Sequence, residues 1–193
     1  MKPKIAVIGK GNVGGSIGQG LERTGYEVRL VGNDPPRVRE AASWGEVIIL
    51  AMPYAAVDEV IREMGGAAAG KILVDASNAL TPDFHLALGF TTSAAEELQK
   101  KAPSAKVVKA FNTVFAQHMA SGQLKGTTLT LFVAGEDQDA KDKVVALGRD
   151  IGFNSVDAGP LKNARWLEAL GYLNIQLGFM LKMGTEIGFK LIH

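Results

Sequence analysis

Short apolar runs alternate along most of the chain with segments whose apolar positions recur every three to four residues. The runs are "KIAVIG", "EVRLVG", "EVIILAMP" and "KILVDAS", and the periodic segments between them cover 12–25, roughly 36–43 and 54–64. This rhythm predicts parallel strands joined by crossover helices. The runs do not alternate between apolar and polar, so the sheet they form should be covered on both faces. The glycines of "GGAAAG" at 65–70 are placed to end one helix and turn into the next strand. A helix then opens in "TTSAAEELQKKAP", where Ser93 and Glu96 have capping-box spacing, and "AKVVKAF" reads as a further strand. "TLTLFVAG" is another strand, 137–151 a helix and "NSVDAG" the last strand, while Pro160 to Ile192 reads as almost wholly helical. The expected fold class is therefore α/β, a Rossmann-type, doubly wound, mostly parallel sheet with a C-terminal helical tail. The boundary near Gly159-Pro160 divides it into a dinucleotide-binding domain, 1–159, and a helical segment, 160–193.

In that tail Trp166, Leu170, Leu173, Leu177, Met180 and Leu181 stand at three-to-four spacing, a stripe that needs burial. Either the chain's own sheet covers it or a twofold homodimer does. Glycines 171, 178, 184 and 188 would permit close helix approach, and a dimer could lay one subunit's tail over the other's substrate crevice.

Composition narrows the function. A chain of 193 residues with 47% hydrophobic content can bury a core of its own. Its 21 basic and 20 acidic residues form no like-charge block, so nothing electrostatic points to nucleic acid or an anionic membrane as partner. Small, weakly charged ligands fit better. Cysteine is absent, which excludes disulfides, thiolate metal sites and thiol nucleophiles and makes a reducing cytoplasm the default location. The first apolar run, IAVI, is too short for the apolar region of a signal peptide. "WLEALGYLNIQLGFMLKMG" is interrupted by Glu168, Asn174, Gln176 and Lys182 before it reaches the ~20 apolar residues of a membrane span. His85, His118 and His193 are scattered, which argues against zinc. No nucleophile elbow appears, Asp75 has no evident partner, and no catalytic acid, base or nucleophile can be named. Hydride transfer between two redox rings needs none, since the cofactor supplies the reactivity.

The chemistry enters with "VIGKGNVGGSIG". Gly9, Gly11 and Gly14 match G-x-G-x-x-G between a strand and a helix. The first glycine allows a tight turn, the second lets backbone approach a diphosphate, and the third lets the helix pack on the strand. The helix N-terminus attracts the diphosphate charge. In "VGNDPPRVR", Asp34 stands where an acid would hold the ribose 2'-OH of NAD, while Arg37 and Arg39 stand where a base would hold the 2'-phosphate of NADP. From the residues alone both cofactors stay open. Ligands of such sheets bind at the carboxyl ends of the strands, so Ala51, Met52, Pro53, Ser77, Asn78, Phe111, Asn112 and Thr113 should edge the crevice. Asn78 and Asn112 could orient a carboxamide and Phe111 could wall a ring; equally, Ser77 and Asn78 could cap a turn and Phe111 belong to the core.

"KIAVIGKGNVGGSIG", "EVIILAMPY", "KILVDASN", "SAAEELQKKAPSAKVVKAFNT" and "VDAGPLKNARWLEALGYLNIQLGFM" together resemble, in order, the coenzyme F420-dependent NADP oxidoreductase family. The chain is also similar to the cytoplasmic reductase domain of the STEAP metalloreductases, where "VVKAFNT" has close parallels. The resemblance implies hydride transfer between NADP and a deazaflavin or flavin. It places Lys10, Gly11, Asn12 and Val13 at the pyrophosphate and Ala51, Met52 and Pro53 along the path from adenosine to nicotinamide. Val114 and Ala116 fall at the nicotinamide, with Asn112 at its edge. This chain departs from the family pattern at Asn33 and Asp34, where a Ser/Thr-Arg pair is usual, and at Asn112, where a histidine is usual. Asn33 and Arg37 are then the expected 2'-phosphate contacts, with NADP favoured and NAD the other option. Two other activities fit the residues, reduction of a small carbonyl or imine and a dinucleotide sensor without turnover.

Overall fold

The computed structural model describes residues 1–192; His193, the last of the scattered histidines and the end of the expected tail segment, lies outside the described residues. Seven strands form one sheet in the order β2-β1-β3-β4-β5-β8-β9. They are β1 (Ile5–Ile8), β2 (Val28–Val31), β3 (Val47–Leu50), β4 (Ile72–Asp75), β5 (Lys106–Lys109), β8 (Thr130–Gly135) and β9 (Asn154–Asp157). A small hairpin, β6 (Gln123–Leu124) and β7 (Thr127–Thr128), lies outside the sheet, its two-residue strands too short to leave a pattern in the sequence. β1 to β5 run parallel, β8 pairs antiparallel to β5, and β9 is again parallel to β8. The Rossmann-type, mostly parallel sheet expected from the apolar runs is therefore present. Its order reverses at β1, which has β2 on one side and β3 on the other.

β1, β3 and β4 are buried along their whole length, as strands covered on both faces should be. Alternate residues feed two separate cores. Ile5, Val7, Ile49 and Val74 face α1 (Asn12–Arg23) and α5 (Gln138–Ile151) through Ile17, Leu21, Val144 and Leu147. Ala6, Ile8, Ile48, Leu50 and Leu73 face α2 (Pro35–Trp44), α3 (Val57–Met64) and α4 (Ala94–Lys101) through Val38, Val60 and Leu98. Caps fix several helix starts: Asp34 accepts from the Arg37 amide, Asp137 from the Ala140 amide and Ser93 from the Glu96 amide. Ser93 and Glu96 realise half of the predicted capping box: the Ser93 hydroxyl accepts from the Glu96 amide, but the Glu96 carboxylate accepts from the Ser93 hydroxyl at 2.8 Å and from the Arg165 guanidinium instead of from the Ser93 amide.

The tail differs from the sequence reading. Helix α6 (Ala164–Ile175) continues through one wider turn, Gln176–Met180, and stops. Lys182 and Gly184 have positive φ, and the chain then returns without regular structure along β8. There the Thr130 amide donates to the Phe189 carbonyl at 3.0 Å and the Leu191 amide to the Thr130 hydroxyl at 2.8 Å. The apolar stripe is also placed differently. α6 buries Leu167, Glu168, Gly171 and Asn174 against the sheet, and Trp166 and Leu173 remain 60% and 49% exposed. The reason is steric and electrostatic: a side chain at Gly171 would run into Asn78 and Asn112, and Glu168 is drawn inward by Lys109.

Candidate nucleotide-binding and active site

The glycine turn joins the end of β1 to α1. Gly9 has φ +121, and a Cβ there would overlap the Ala51 carbonyl. A Cβ on Gly14 would overlap the Gly9 carbonyl and meet the Ala51 Cβ at 3.2 Å. A Cβ on Gly11 would meet nothing within 4 Å, because this residue faces open space. The first and third glycines are thus demanded by the fold, and the second is not. Gly11 is also the N-cap of α1, where no side chain accepts from the first-turn amides and no acid lies in the first turn. α2, α4 and α5 each close this end with a side chain. The first-turn amides of α1 stay available for an anion, and the helix dipole favours one there.

A cleft of about 340 Å³ opens beside the turn, lined by Gly9, Lys10, Gly11, Gly32, Asn33, Ala51, Met52 and Pro53. The structure thus brings eight predicted or adjoining positions into one concavity. Lys10 and Gly11 are exposed on its rim, Asn12 follows them exposed at the start of α1, and Val13 turns its side chain back to the core. Asn33 reaches the cleft, while the Asp34 carboxylate is directed to the Arg37 amide at 3.2 Å as the cap of α2. Of the neighbouring arginines, Arg39 donates to the Glu63 carbonyl and Arg29 pairs with Glu40. The Arg37 guanidinium has no partner among the described residues and lies exposed on the first turn of α2. A dinucleotide fits these residues, since the open Gly11 and the uncapped amides match a diphosphate.

Three expectations at the strand ends need correction. Phe111 does not wall a ligand ring: it is 1% exposed, with φ +70, and stacks edge-on against Phe153 in the core. Asn78 and Asn112 do not reach freely into the crevice. The Asn112 side-chain amide donates to Asn78 Oδ1 at 3.1 Å and to the Leu167 carbonyl at 2.8 Å, and the Asn78 amide donates to the Asn112 carbonyl. These bonds tie the ends of β4 and β5 to α6. Only Asn112 Oδ1, buried without a partner, is left over. Val114 is buried in the core, and Ala116, half-buried, begins a short 3-10 turn, Ala116–His118, that runs alongside α1.

Asp75, which had no evident partner in the sequence, has one in the structure. Lys109 Nζ lies 2.8 Å from Asp75 Oδ2, 2.9 Å from Glu168 Oε1 and 2.7 Å from the Ser77 carbonyl. Glu168 also accepts from the Ala94 amide at the start of α4. Lys109 is fully buried, and burial opposes its charge, yet the two carboxylates outweigh that and hold its pKa above the ordinary lysine value. Burial raises the Glu168 carboxyl, against the pull of Lys109. The one signal for this cluster in the sequence was a lysine closing the apolar strand "AKVVK". No cluster of three or more potential metal ligands occurs among the described residues.

The fold has counterparts in known proteins. The family model "NADP oxidoreductase coenzyme F420-dependent" matches residues 36–79. The F420-dependent NADP reductase of Methanocaldococcus jannaschii is 31% identical over 175 residues, covering 86% of this chain and 76% of the relative. The chain belongs to the F420-dependent NADP oxidoreductase family. A crystal structure from Arthrobacter sp. FB24, whose inferred activity is F420-dependent NADP reduction, superposes at TM-score 0.90 with 29% identity. That alignment covers 99% of this chain and 100% of the other. Metalloreductase STEAP3 of Rattus norvegicus is 32% identical over 184 residues, 87% of this chain but 36% of the relative. This member of the oxidoreductase family thus spans about a third of the curated metalloreductases it matches.

Proposed function

We propose that the protein transfers hydride between NADP and a flavin or deazaflavin of the F420 type. The observation that carries this reading is the uncapped N-terminus of α1 behind Gly11, with the residues around it closed by backbone contacts and Gly11 itself open. The diphosphate rests on the amides of Gly11, Asn12 and Val13. The adenosine lies in the cleft between Asn33 and Met52, and the nicotinamide extends toward the carboxyl ends of β4 and β5, past Val114 and Ala116. The protein fixes distance and orientation, and the two redox rings supply the chemistry.

NADP is favoured over NAD by the charge around the ribose end. The Asp34 carboxylate is occupied by the α2 amide, whereas Lys10 and Arg37 are exposed near Asn33 and free to meet a 2'-phosphate. The sensor reading and the carbonyl or imine reductase reading compete with this one. Mixing the protein with NADPH or NADH and then with F420, FMN or FAD, and following absorbance at the nicotinamide band, separates them. Loss of NADPH absorbance with a flavin or deazaflavin, and slower loss of NADH, is the expected result. Tight NADPH binding with no turnover on any of these acceptors would contradict it and favour the sensor; turnover only with an imine or carbonyl compound would favour the other reductase.

A further inference from the structure

Asp75 and Lys109 sit on one rung of the sheet with Ile8 and Leu50, the residues that precede the glycine turn and Ala51. The cluster they form with Glu168 therefore lies in the layer just beneath the carboxyl-end crevice. A clamp between β5 and α6 requires one ammonium and one carboxylate. Here one ammonium faces two carboxylates, all of them more than nine-tenths buried, which leaves one formal negative charge in excess when both are ionised, met only by the Ala94 amide on Glu168 and the Ser77 amide on Asp75. An extra buried charge is costly, and hydrogen bonds from neutral amides do not cancel it. The buried Ser77 hydroxyl beside it also has no hydrogen-bond partner.

This surplus charge has a use if the nucleotide lies as proposed above, a reading on which the inference rests. With adenosine toward β2 and diphosphate at β1, the nicotinamide half falls on the other side of the switch point, over β3 to β5. The oxidised nicotinamide ring is a cation and the dihydro ring is neutral. We propose that the Asp75–Lys109–Glu168 cluster is an electrostatic bias under the redox ring that selects the oxidised nucleotide over the reduced one. The consequence is a lower reduction potential for the bound couple than for the free one. Asp75, Lys109 and Glu168 touch neither ring and act through the field alone. A unit charge about 10 Å away, through an effective dielectric constant of about 20, changes an affinity by on the order of ten-fold.

The test compares dissociation constants for NADP+ and NADPH, measured by calorimetric titration at pH 8, in the unaltered protein, Glu168→Gln and Asp75→Asn. Each variant removes one negative charge from a different element and keeps an oxygen acceptor for Lys109. A ratio of NADP+ to NADPH dissociation constants that rises roughly ten-fold in both variants, through weaker NADP+ binding, is expected. A merely structural role would weaken both forms together and leave the ratio unchanged, which would overturn the proposal. A shift in Glu168→Gln without one in folded Asp75→Asn would also overturn it, by tracing the effect to displacement of α6. If only one variant folds, its ratio decides. Failure of the unaltered protein to bind either form overturns the nucleotide reading instead, a distinct outcome.

Discussion

At the scale of single residues, the glycines separate folding from binding. Gly14→Ala drives a Cβ into the Gly9 carbonyl, and an overpacked site of this kind costs about 1–3 kcal/mol or more. Gly11→Val places its side chain in open space, so its melting temperature should stay near that of the unaltered protein while NADPH affinity falls at least ten-fold. Thermal unfolding and a binding titration on the two variants check this, and equal destabilisation of both would refute it. Lys109→Met leaves two carboxylates buried without their cation and should cost about 3–5 kcal/mol in a denaturant titration. The turn at Gly9 and the close packing at Gly14 were legible in the sequence because glycine spacing reports backbone geometry directly. Phe111 and Asn112 were not: whether a residue at a strand end points up into the crevice or down into the core depends on φ at Phe111 and on contacts with α6.

At the scale of elements, helix ends and ion pairs set the details. Asp34→Ala removes the side-chain cap of α2, a loss of about 1 kcal/mol. If Asp34 serves the helix and not a ribose, NADPH affinity should hold or rise in this variant, and a large drop in NADH affinity would show the opposite. Asp150, at the end of α5, accepts from the Tyr26 hydroxyl at 2.7 Å, and that bond, with Lys2, holds its carboxyl below the usual range. Acid therefore protonates the unfolded state first. The contribution is complete above the ordinary carboxylate value of 3.8 and is lost as pH falls through the depressed one. Tyr26→Phe should flatten the acid limb of the stability profile, measured by unfolding from pH 6 down to pH 2; an unchanged slope would refute it. The main strands and α-helices of 1–159 were legible because the buried strands are built around apolar runs and most turns carry glycine or a capping residue. The hairpin β6–β7 and the non-helical return of Leu181–Ile192 were not, since short polar pairing and a strap along β8 leave no periodicity behind.

At the scale of the whole molecule, the exposed apolar surface of α6 and the return segment is the feature the single chain leaves open. Trp166, Leu173, Phe179, Met180, Leu181 and Met183 are all at least half exposed or close to it. Exposed apolar side chains of this kind on α6 and the segment after it suit a second copy of the chain, as in the homodimer that the sequence stripe allows. No helix among the described residues is long and apolar enough to cross a membrane. Light scattering should give twice the chain mass, with Leu173→Glu shifting it toward the monomer, and a monomeric mass for the unaltered protein at tens of micromolar would remove the dimer. The stripe was legible as a pattern; which of its sides faces inward was decided by Gly171 and Glu168, whose partners lie on β5 and just beyond the ends of β4 and β5.

A dinucleotide bound as proposed places its diphosphate on the open amides of the first helix. A titration with NADPH followed through backbone amide chemical shifts addresses this placement most directly. Saturable shifts largest at Gly11, Asn12 and Val13, with smaller ones at Asn33 and Met52, are the expected result. Saturation with those amides unmoved, or no saturation at millimolar NADPH and NADH alike, would contradict it.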